Sequence, residues 1–194
     1  MVKPLTERPL DLIYFCFFVI HIPATLLIDV QALYPAWLVP RFISVLPELY
    51  VGFSRDPLIG GVMGLLGSSE NYNWFKTFLV LELCFQLPVF VIAARGLLNN
   101  SKSIYLLMLI YAASTATTTL PCLAVIIQTP TTSAETLAAN IVSITTTERL
   151  MLLSSYLPFF LLPLGMTVDM AQRLTRLINA GISASETTGK VKQQ

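Results

Sequence analysis

The sequence predicts an all-α membrane protein, a bundle of four transmembrane helices with proline-kinked axes and a loop that caps the lumenal end. The 194 residues are 55% hydrophobic and 12% charged, and the mean hydropathy is +0.71. Soluble domains carry about 25% charged residues, which excludes an ordinary soluble domain. Four apolar runs are each long enough for a helix to cross a hydrocarbon core about 30 Å thick. Each run also contains an interior proline.

The four spans are predicted to be helices because a bilayer offers no hydrogen-bond partner to an open strand edge. They occupy about residues 10–29, 75–98, 103–128 and 149–170. Their interior prolines are Pro23, Pro88, Pro121, Pro158 and Pro163. Each proline removes a helical hydrogen bond and bends the axis, which keeps the middles of the helices from packing closely. A cavity inside the bundle is one reading, although proline is also frequent in membrane helices.

Four spans place both termini on one side of the membrane. Eight of the twelve lysines and arginines fall on that side and four on the other. Basic residues accumulate on cytoplasmic loops, so the termini are predicted to be cytosolic. The membrane domain covers residues 1–178, and residues 179–194 are predicted to be a disordered cytosolic tail. This tail ends in KVKQQ, whose lysines resemble the dilysine retrieval signal of endoplasmic reticulum membrane proteins.

The segment between the first two spans, residues 29–76, is too long for a turn. Its apolar patch FISVLPELYVGF is expected either to lie at the membrane interface or to fold back as a cap over the bundle. The glycine-rich stretch GGVMGLLGSSENYN that follows is predicted to be a flexible insert.

Glu82 lies inside the apolar run 77–94, in the stretch LELCFQL, and Asp29 directly follows the run 12–28, at the end of the stretch HIPATLLID. His21, Thr25 and Asp29 lie four residues apart and share one stripe of a helix. Glu82 and Gln86 are likewise four residues apart, and antiparallel packing brings Glu82 to a depth similar to that of Asp29. Hydroxyl groups of spans three and four are further candidates, at Ser114, Thr115, Thr117, Thr118, Thr119, Ser154, Ser155 and Tyr156.

A charged side chain at the centre of a bilayer costs about 2.5–3.5 kcal/mol, so such residues usually face a partner. The apolar runs themselves, residues 12–28, 77–94, 103–134 and 150–168, contain no lysine or arginine. Either the acids share a proton, or a ligand supplies the cation or a hydroxyl donor. In the simpler alternative, Asp29 reaches water from its helix end and Glu82 makes a structural hydrogen bond.

Four blocks along the chain carry a resemblance to a known family: HIPATLLIDVQALYP, RDPL, WFKTFLVLELCFQLP and ERLMLLSSYLP. In this order they closely resemble the sigma-2 receptor (transmembrane protein 97) family of EXPERA-domain proteins. That superfamily includes the emopamil-binding protein, a sterol isomerase, and a fungal branch named for efficient mitochondria targeting. The resemblance covers about residues 10–170, and it departs in the GGVMGLLGSSENY insert and in the Thr-rich loop before ERLM.

The resemblance implies a four-helix endoplasmic reticulum protein, often a homodimer, with an occluded pocket for sterols and cationic amphiphiles. By motif, Asp29 resembles the acid that pairs with a ligand amine, and Asp56 resembles its hydrogen-bonding partner. The resemblance places pocket and sterol contacts at Glu82, Cys84 and Gln86. Thr118 and Tyr156 match pocket-lining positions, and His21 matches the edge of the pocket.

The function expected from these observations is non-enzymatic binding of sterols and amine-bearing lipids, with a role in sterol homeostasis or traffic. A sterol-transport protein, like the Niemann–Pick type C transporter in animals, is an expected partner. One alternative is an interaction protein that aids mitochondrial precursor targeting or quality control. The other is a sterol isomerase, which the absence of a second histidine weakens. A net charge of +1 gives no reason to expect nucleic acid, and no cofactor or metal is expected because the cysteine spacing matches no zinc motif.

Overall fold

A computed structural model describes residues 3–35 and 37–191, with the side chains from residue 187 onward excepted. The described residues form helices and a single isolated bridge between Thr131 and Ile144, which confirms the all-α class. Eight α-helices follow in order: α1 Pro9–Leu27, α2 Arg41–Ser54, α3 Pro57–Val62, α4 Asn73–Leu81, α5 Leu87–Leu98, α6 Tyr105–Gln128, α7 Ala134–Ala138 and α8 Thr146–Val191. A π-helical segment, Glu82–Gln86, joins α4 to α5 into one rod, and a 3-10 turn, Asp29–Leu33, extends α1.

Four of the described helical stretches are long and apolar enough to cross a bilayer, as the sequence predicts. They are Pro9–Leu33, Ser69–Leu98, Lys102–Gln128 and Thr146–Glu186. In the bundle α6 packs along α8, and α1 packs along α5. Their outward faces carry exposed leucine, isoleucine and valine side chains, such as Ile20, Ile92 and Leu161. Apolar side chains on the outside of a helical bundle are suited to contact with lipid.

One end of the bundle, the polar end, is held by an ion-pair network. The buried Asp11 at the start of span one accepts from Arg8 and from Arg173 of span four, each at 2.6 Å. Arg173 also pairs with Asp169 at 2.8 Å, and Arg8 donates to the carbonyl of Leu97. The start of span one and the later half of span four therefore lie at the same end, as four antiparallel spans require.

The opposite end, the cap end, is covered by α2 and α3. Helix α2 packs on α3 and α8, and it turns Val51 inward while Phe42 and Phe53 remain exposed. Of the two arrangements expected for this segment, folding back over the bundle is the one observed. Asp56 begins α3 as its N-cap and accepts hydrogen bonds from the N–H groups of Leu58 and Ile59.

The expectation of a flexible glycine-rich insert is wrong for its first part. Gly60 and Gly61 are buried within α3, where a Cβ on Gly61 would lie 2.2 Å from the ring of Tyr72. The glycines here permit close packing, and only Gly64 and Gly67 take the positive φ of a turn.

Span four also differs from its prediction. Helix α8 continues to Val191, whereas the sequence predicts disorder from residue 179; residues 192–194 lie outside the described residues. No proline follows Pro163, so no later residue removes a backbone donor from the helix as it continues past the bundle.

The Thr-rich loop between spans three and four is fixed by Arg149. Its guanidinium donates to the carbonyls of Ile126, Ile127 and Thr129, each at 2.6 Å. These carbonyls belong to the end of α6, where they lack helical partners, so Arg149 acts as a C-terminal cap.

Candidate functional site

A cavity of about 250 Å³ lies between the four spans at the cap end. Its apolar walls are Ala24, Ile28, Phe75, Phe78, Leu79 and Phe159. Its polar lining is His21, Asp29, Tyr50, Glu82, Gln86, Thr115, Thr118, Thr119, Cys122, Ser155 and Tyr156. Although many of these residues are polar, most of the exposed wall surface is apolar, and an apolar wall with polar groups at defined points is the usual form of a small-molecule site.

The two acids that the sequence singles out meet in this cavity. One nitrogen of His21 and one carboxylate oxygen from each of Asp29 and Glu82 all lie within 4.8 Å of one another. Asp29 is brought there by the 3-10 turn that follows α1, and Glu82 by the start of the π-helical segment. The predicted similarity in depth of Asp29 and Glu82 is thus observed.

Glu82 has a neutral partner, since Thr25 donates its hydroxyl to Oε1 at 2.5 Å. Asp29 accepts no hydrogen bond from the described residues, 3–35 and 37–191. Across the same residues, neither acid forms a salt bridge with lysine or arginine, and the cavity lining contains neither type. The acids therefore lack a cationic partner in the fold itself.

The π-helical segment explains how span two presents Glu82. Pro88 cannot donate a hydrogen bond and its ring clashes with the carbonyl four residues earlier. The N–H of Leu87 accordingly bonds to the carbonyl of Glu82, five residues back, which widens the turn. Glu82 and Gln86 both line the cavity as a result.

Cys84 does not line this cavity, which differs from the position that the resemblance implies for it. It is exposed on the outside of span two and is absent from the cavity lining. Residues two apart on a helix point to different faces, so Cys84 faces away when Glu82 and Gln86 face inward.

Asp56 is completely buried beside the cavity rather than in its lining. Its Oδ2 accepts from the hydroxyls of Tyr50 and Tyr156, each at 2.8 Å, while Oδ1 caps α3. Among the described residues no hydrogen bond joins Asp56 to Asp29, so the expected proton-sharing pair is not formed. Four donors already occupy the two oxygens of Asp56.

Burial raises the pKa of Asp56, and the hydrogen bonds from the two tyrosines and the α3 backbone offset part of this effect. Burial and the nearby Asp56 carboxylate also raise the pKa of Tyr50. Tyr50 therefore keeps its proton and serves as a donor. The Asp56 cluster links α2, α3 and α8, and in this way holds the cap in place.

His21 lies deep in the wall with both ring nitrogens free of hydrogen bonds. Nδ1 is buried without a partner, and Nε2 is 3.9 Å from Oε1 of Glu82. The ring stacks on Phe90 with centroids 4.7 Å apart and contacts Phe159 at 4.5 Å. The aromatic rings fix the orientation of the imidazole while leaving its nitrogens available.

The predicted positions on spans three and four also line the cavity. Thr118 does so while donating to carbonyls one turn earlier, and Tyr156 does so while bonded to Asp56. Sequence reasoning missed Tyr50 and Phe159. Tyr50 belongs to the cap, whose docking depends on tertiary contacts. Phe159 had no distinguishing signal in an apolar run.

Comparison with known proteins supports the resemblance in the sequence. The family model EXPERA (EXPanded EBP superfamily) matches residues 42–170. The chain is 34% identical to Sigma intracellular receptor 2 of Homo sapiens over 171 residues, which is 88% of this chain and 92% of the relative. It is 31% identical to Efficient mitochondria targeting-associated protein 19 of Saccharomyces cerevisiae over 159 residues, 78% of this chain and 91% of the relative. The relative of that name in Schizosaccharomyces pombe is 25% identical over 189 residues, 95% of this chain and 87% of the relative.

Proposed function

Because the chain belongs to the EXPERA family and is a multi-pass membrane protein of the sigma-2 receptor kind, we propose that it binds cationic amphiphiles and sterols inside its cavity. The proposed location is the endoplasmic reticulum membrane with both termini in the cytosol. Its proposed role is in sterol homeostasis or traffic. The binding is proposed to be non-enzymatic.

One observation carries this proposal: Asp29 lines the cavity, and among the described residues it accepts no hydrogen bond and has no lysine or arginine beside it. A carboxylate in such a place has lost its water of hydration, and the described part of the protein supplies neither a hydrogen bond nor a cation to replace it. A ligand with an ammonium group restores the missing interaction, and its apolar body occupies the aromatic and aliphatic walls. A hydrogen bond to a charged group contributes about 1.5–3 kcal/mol.

The sterol part of the proposal is supported by the shape and composition of the chamber. Phenylalanine side chains at residues 75, 78 and 159 provide rigid apolar walls. The polar residues Gln86, Thr115 and Ser155 line the same space, which suits a mostly apolar ligand with one polar end.

The binding proposal is tested with the protein in nanodiscs and a labelled cationic amphiphile. Asp29→Asn keeps the shape of the side chain and removes the charge, so affinity should fall about 10- to 150-fold for a loss of 1.5–3 kcal/mol. Glu48→Gln is the matched control because Glu48 is an exposed acid on α2. Both variants are checked by size-exclusion chromatography and thermal midpoint. Unchanged affinity in folded Asp29→Asn would refute the ion-pair proposal.

Location and orientation are tested separately. Eight of twelve basic residues lie on the side of the termini, which supports cytosolic termini. Protease protection of an epitope at either terminus in sealed microsomes reads the orientation directly. Replacing Lys190 and Lys192 with serine should move the protein out of the endoplasmic reticulum if these lysines are a retrieval signal.

A sterol isomerase is a second candidate, favoured by one specific observation. His21, Asp29 and Glu82 converge within 4.8 Å and together could take and return a proton. The purified protein is incubated with an 8-ene sterol, and migration of the double bond is followed by mass spectrometry with a reference isomer. Absence of product from protein that still binds the amine probe removes this candidate.

A role beside mitochondrial precursors is a third candidate, supported by the name of the Saccharomyces cerevisiae relative. The surfaces available on the side of the termini are the first residues, the GLLNNSKS turn and the end of α8. The chain is expressed in yeast cells that lack this relative, and import of a labelled precursor is measured. If import is still restored after residues 179–194 are deleted and the turn is mutated, these surfaces are not required for the proposed role.

A further inference from the structure

We propose that His21, Asp29 and Glu82 form a binding site for a divalent transition-metal ion such as Zn²⁺. The three side chains supply an imidazole nitrogen and two carboxylate oxygens, all within 4.8 Å of one another. Imidazole and carboxylate are both common zinc ligands, and three protein ligands leave a position for water or a guest molecule. The sequence places His21 and Asp29 on one stripe and Glu82 at a similar depth, but no spacing motif indicates a metal site, because the ligands come from two spans and a turn.

Charge balance favours a divalent cation. When both are ionised, the two carboxylates facing one another in a low-dielectric chamber carry two negative charges, and the described lining contains no lysine or arginine. Buried charges are stable only when paired or bound to metal. A single amine neutralises one of the two acids, whereas a divalent ion neutralises both.

The state of His21 is a second and independent observation. The side chain is 8% exposed, yet neither ring nitrogen has a hydrogen-bond partner among the described residues. Leaving a buried polar group unsatisfied costs about 1–3 kcal/mol. Coordination through one nitrogen removes part of this cost. The aromatic rings of Phe90 and Phe159 already hold the imidazole in position.

The ligand atoms lie slightly farther apart than they would around a bound zinc ion. Zinc bonds of about 2.0–2.2 Å place tetrahedral ligand atoms about 3.3–3.6 Å apart. Nε2 of His21 lies 3.9 Å from Oε1 of Glu82, so side-chain rotations that move atoms by about 1 Å close the site. Thr25 holds Glu82 through its hydroxyl, the kind of outer contact that orients a metal ligand. The imidazole favours zinc, copper or nickel over magnesium and calcium.

The test uses the full chain in detergent micelles, purified without a polyhistidine tag and washed with a chelator. Binding of Zn²⁺ is measured by calorimetry without any amine, and Co²⁺ serves as a spectroscopic probe. We expect one ion per chain, and visible Co²⁺ absorption bands typical of nitrogen and oxygen ligands. His21 is the chain's only histidine, so a histidine signal in zinc X-ray absorption is assigned without ambiguity.

Three variants and one control distinguish Zn²⁺ binding at the proposed site from Zn²⁺ binding elsewhere on the protein. His21→Phe and Glu82→Gln should each weaken Zn²⁺ binding more than about 100-fold, since loss of an outer contact alone costs 10- to 100-fold. Thr25→Val should weaken it about 10-fold by releasing Glu82. The control is Cys84→Ser, which removes an exposed thiol and should leave the affinity unchanged. The fold of each variant is checked by circular dichroism and thermal midpoint.

The outcomes are distinguishable from those of the amine proposal. Absence of Zn²⁺ binding, or Zn²⁺ binding that His21→Phe leaves intact, overturns the metal site whatever the amine does. Because both guests use Asp29, Zn²⁺ should displace the labelled amphiphile competitively. If both bind at once, Zn²⁺ affinity is measured in Asp29→Asn, and an affinity equal to that of the unsubstituted protein would reject the three-ligand site.

Discussion

Asp56 is the residue whose replacement should reveal most about how the cap is held over the cavity. It is completely buried and accepts four hydrogen bonds, two from the N–H groups that begin α3 and two from the hydroxyls of Tyr50 and Tyr156. Asp56→Asn separates these two roles. Asparagine is as good an N-cap as aspartate, so α3 keeps its start. Its amide presents a donor where Oδ2 accepted, so the two tyrosines lose their acceptor.

The expected magnitudes follow from this division. Each buried hydroxyl that loses its acceptor costs about 1–3 kcal/mol, and relief from burying a carboxylate offsets part of the sum. We therefore expect Asp56→Asn to lower the free energy of unfolding by about 2–3 kcal/mol. Asp56→Ala also loses the N-cap and should cost about 1 kcal/mol more.

The measurement is a titration with sodium dodecyl sulfate in mixed micelles, followed by circular dichroism. Tyr156→Phe provides a double-mutant cycle, because its cost should shrink in the Asp56→Asn background if the two side chains act together. Surface substitutions usually change the free energy of unfolding by less than about 0.5 kcal/mol. A change this small in Asp56→Asn would refute the proposed role of the two tyrosine hydrogen bonds. Equal costs for asparagine and alanine would refute the capping role.

Three further outcomes are expected in the same unfolding assay. Arg173→Gln removes one of the two arginines that pair with the buried Asp11, so it should lower the free energy of unfolding by about 2–3 kcal/mol. This is below the roughly 3–5 kcal/mol expected for breaking a fully buried pair, because the Arg173 side chain is 20% exposed. The control is Arg176→Gln, which changes an exposed side chain and should cost little. A methyl group on Gly61 would meet a tyrosine ring at 2.2 Å and should cost about 1–3 kcal/mol, whereas Gly52→Ala, with open space around it, should stabilise α2 by about 0.5–1 kcal/mol. Burial raises the pKa of Asp56 above its usual value, so the folded state binds the proton more tightly, and its contribution to stability is fully present below the unfolded pKa. That contribution is lost as pH rises through the folded pKa; the slope of stability against pH should flatten in Asp56→Asn, and an unchanged slope would count against the shift.

The class of the protein and its chemically unusual residues were readable from the sequence. Four apolar runs fix the number of spans, because a single lipid-exposed segment of this length satisfies its own backbone polar groups only as a helix. Asp29 and Glu82 stand out because a charged carboxylate within or at the edge of such a run is costly to place in a membrane. Helical periodicity then places Glu82 and Gln86 on one face, as the cavity lining shows. The same periodicity, had it been applied to Cys84, would have turned that side chain outward.

Only the tertiary structure decided which hydrogen-bond donors serve Asp56 and which acid is left facing the cavity. Asp29 and Asp56 were expected to bond each other, but Asp56 is occupied by two tyrosines and the start of α3, which leaves Asp29 open to the cavity. The docking of α2, and with it the position of Tyr50, depends on contacts between residues far apart in the chain, which no local pattern encodes. The wider turn before Pro88 likewise sets the exact direction of Glu82. Hydropathy tells which residues enter the membrane, and packing between distant segments determines which of them meet.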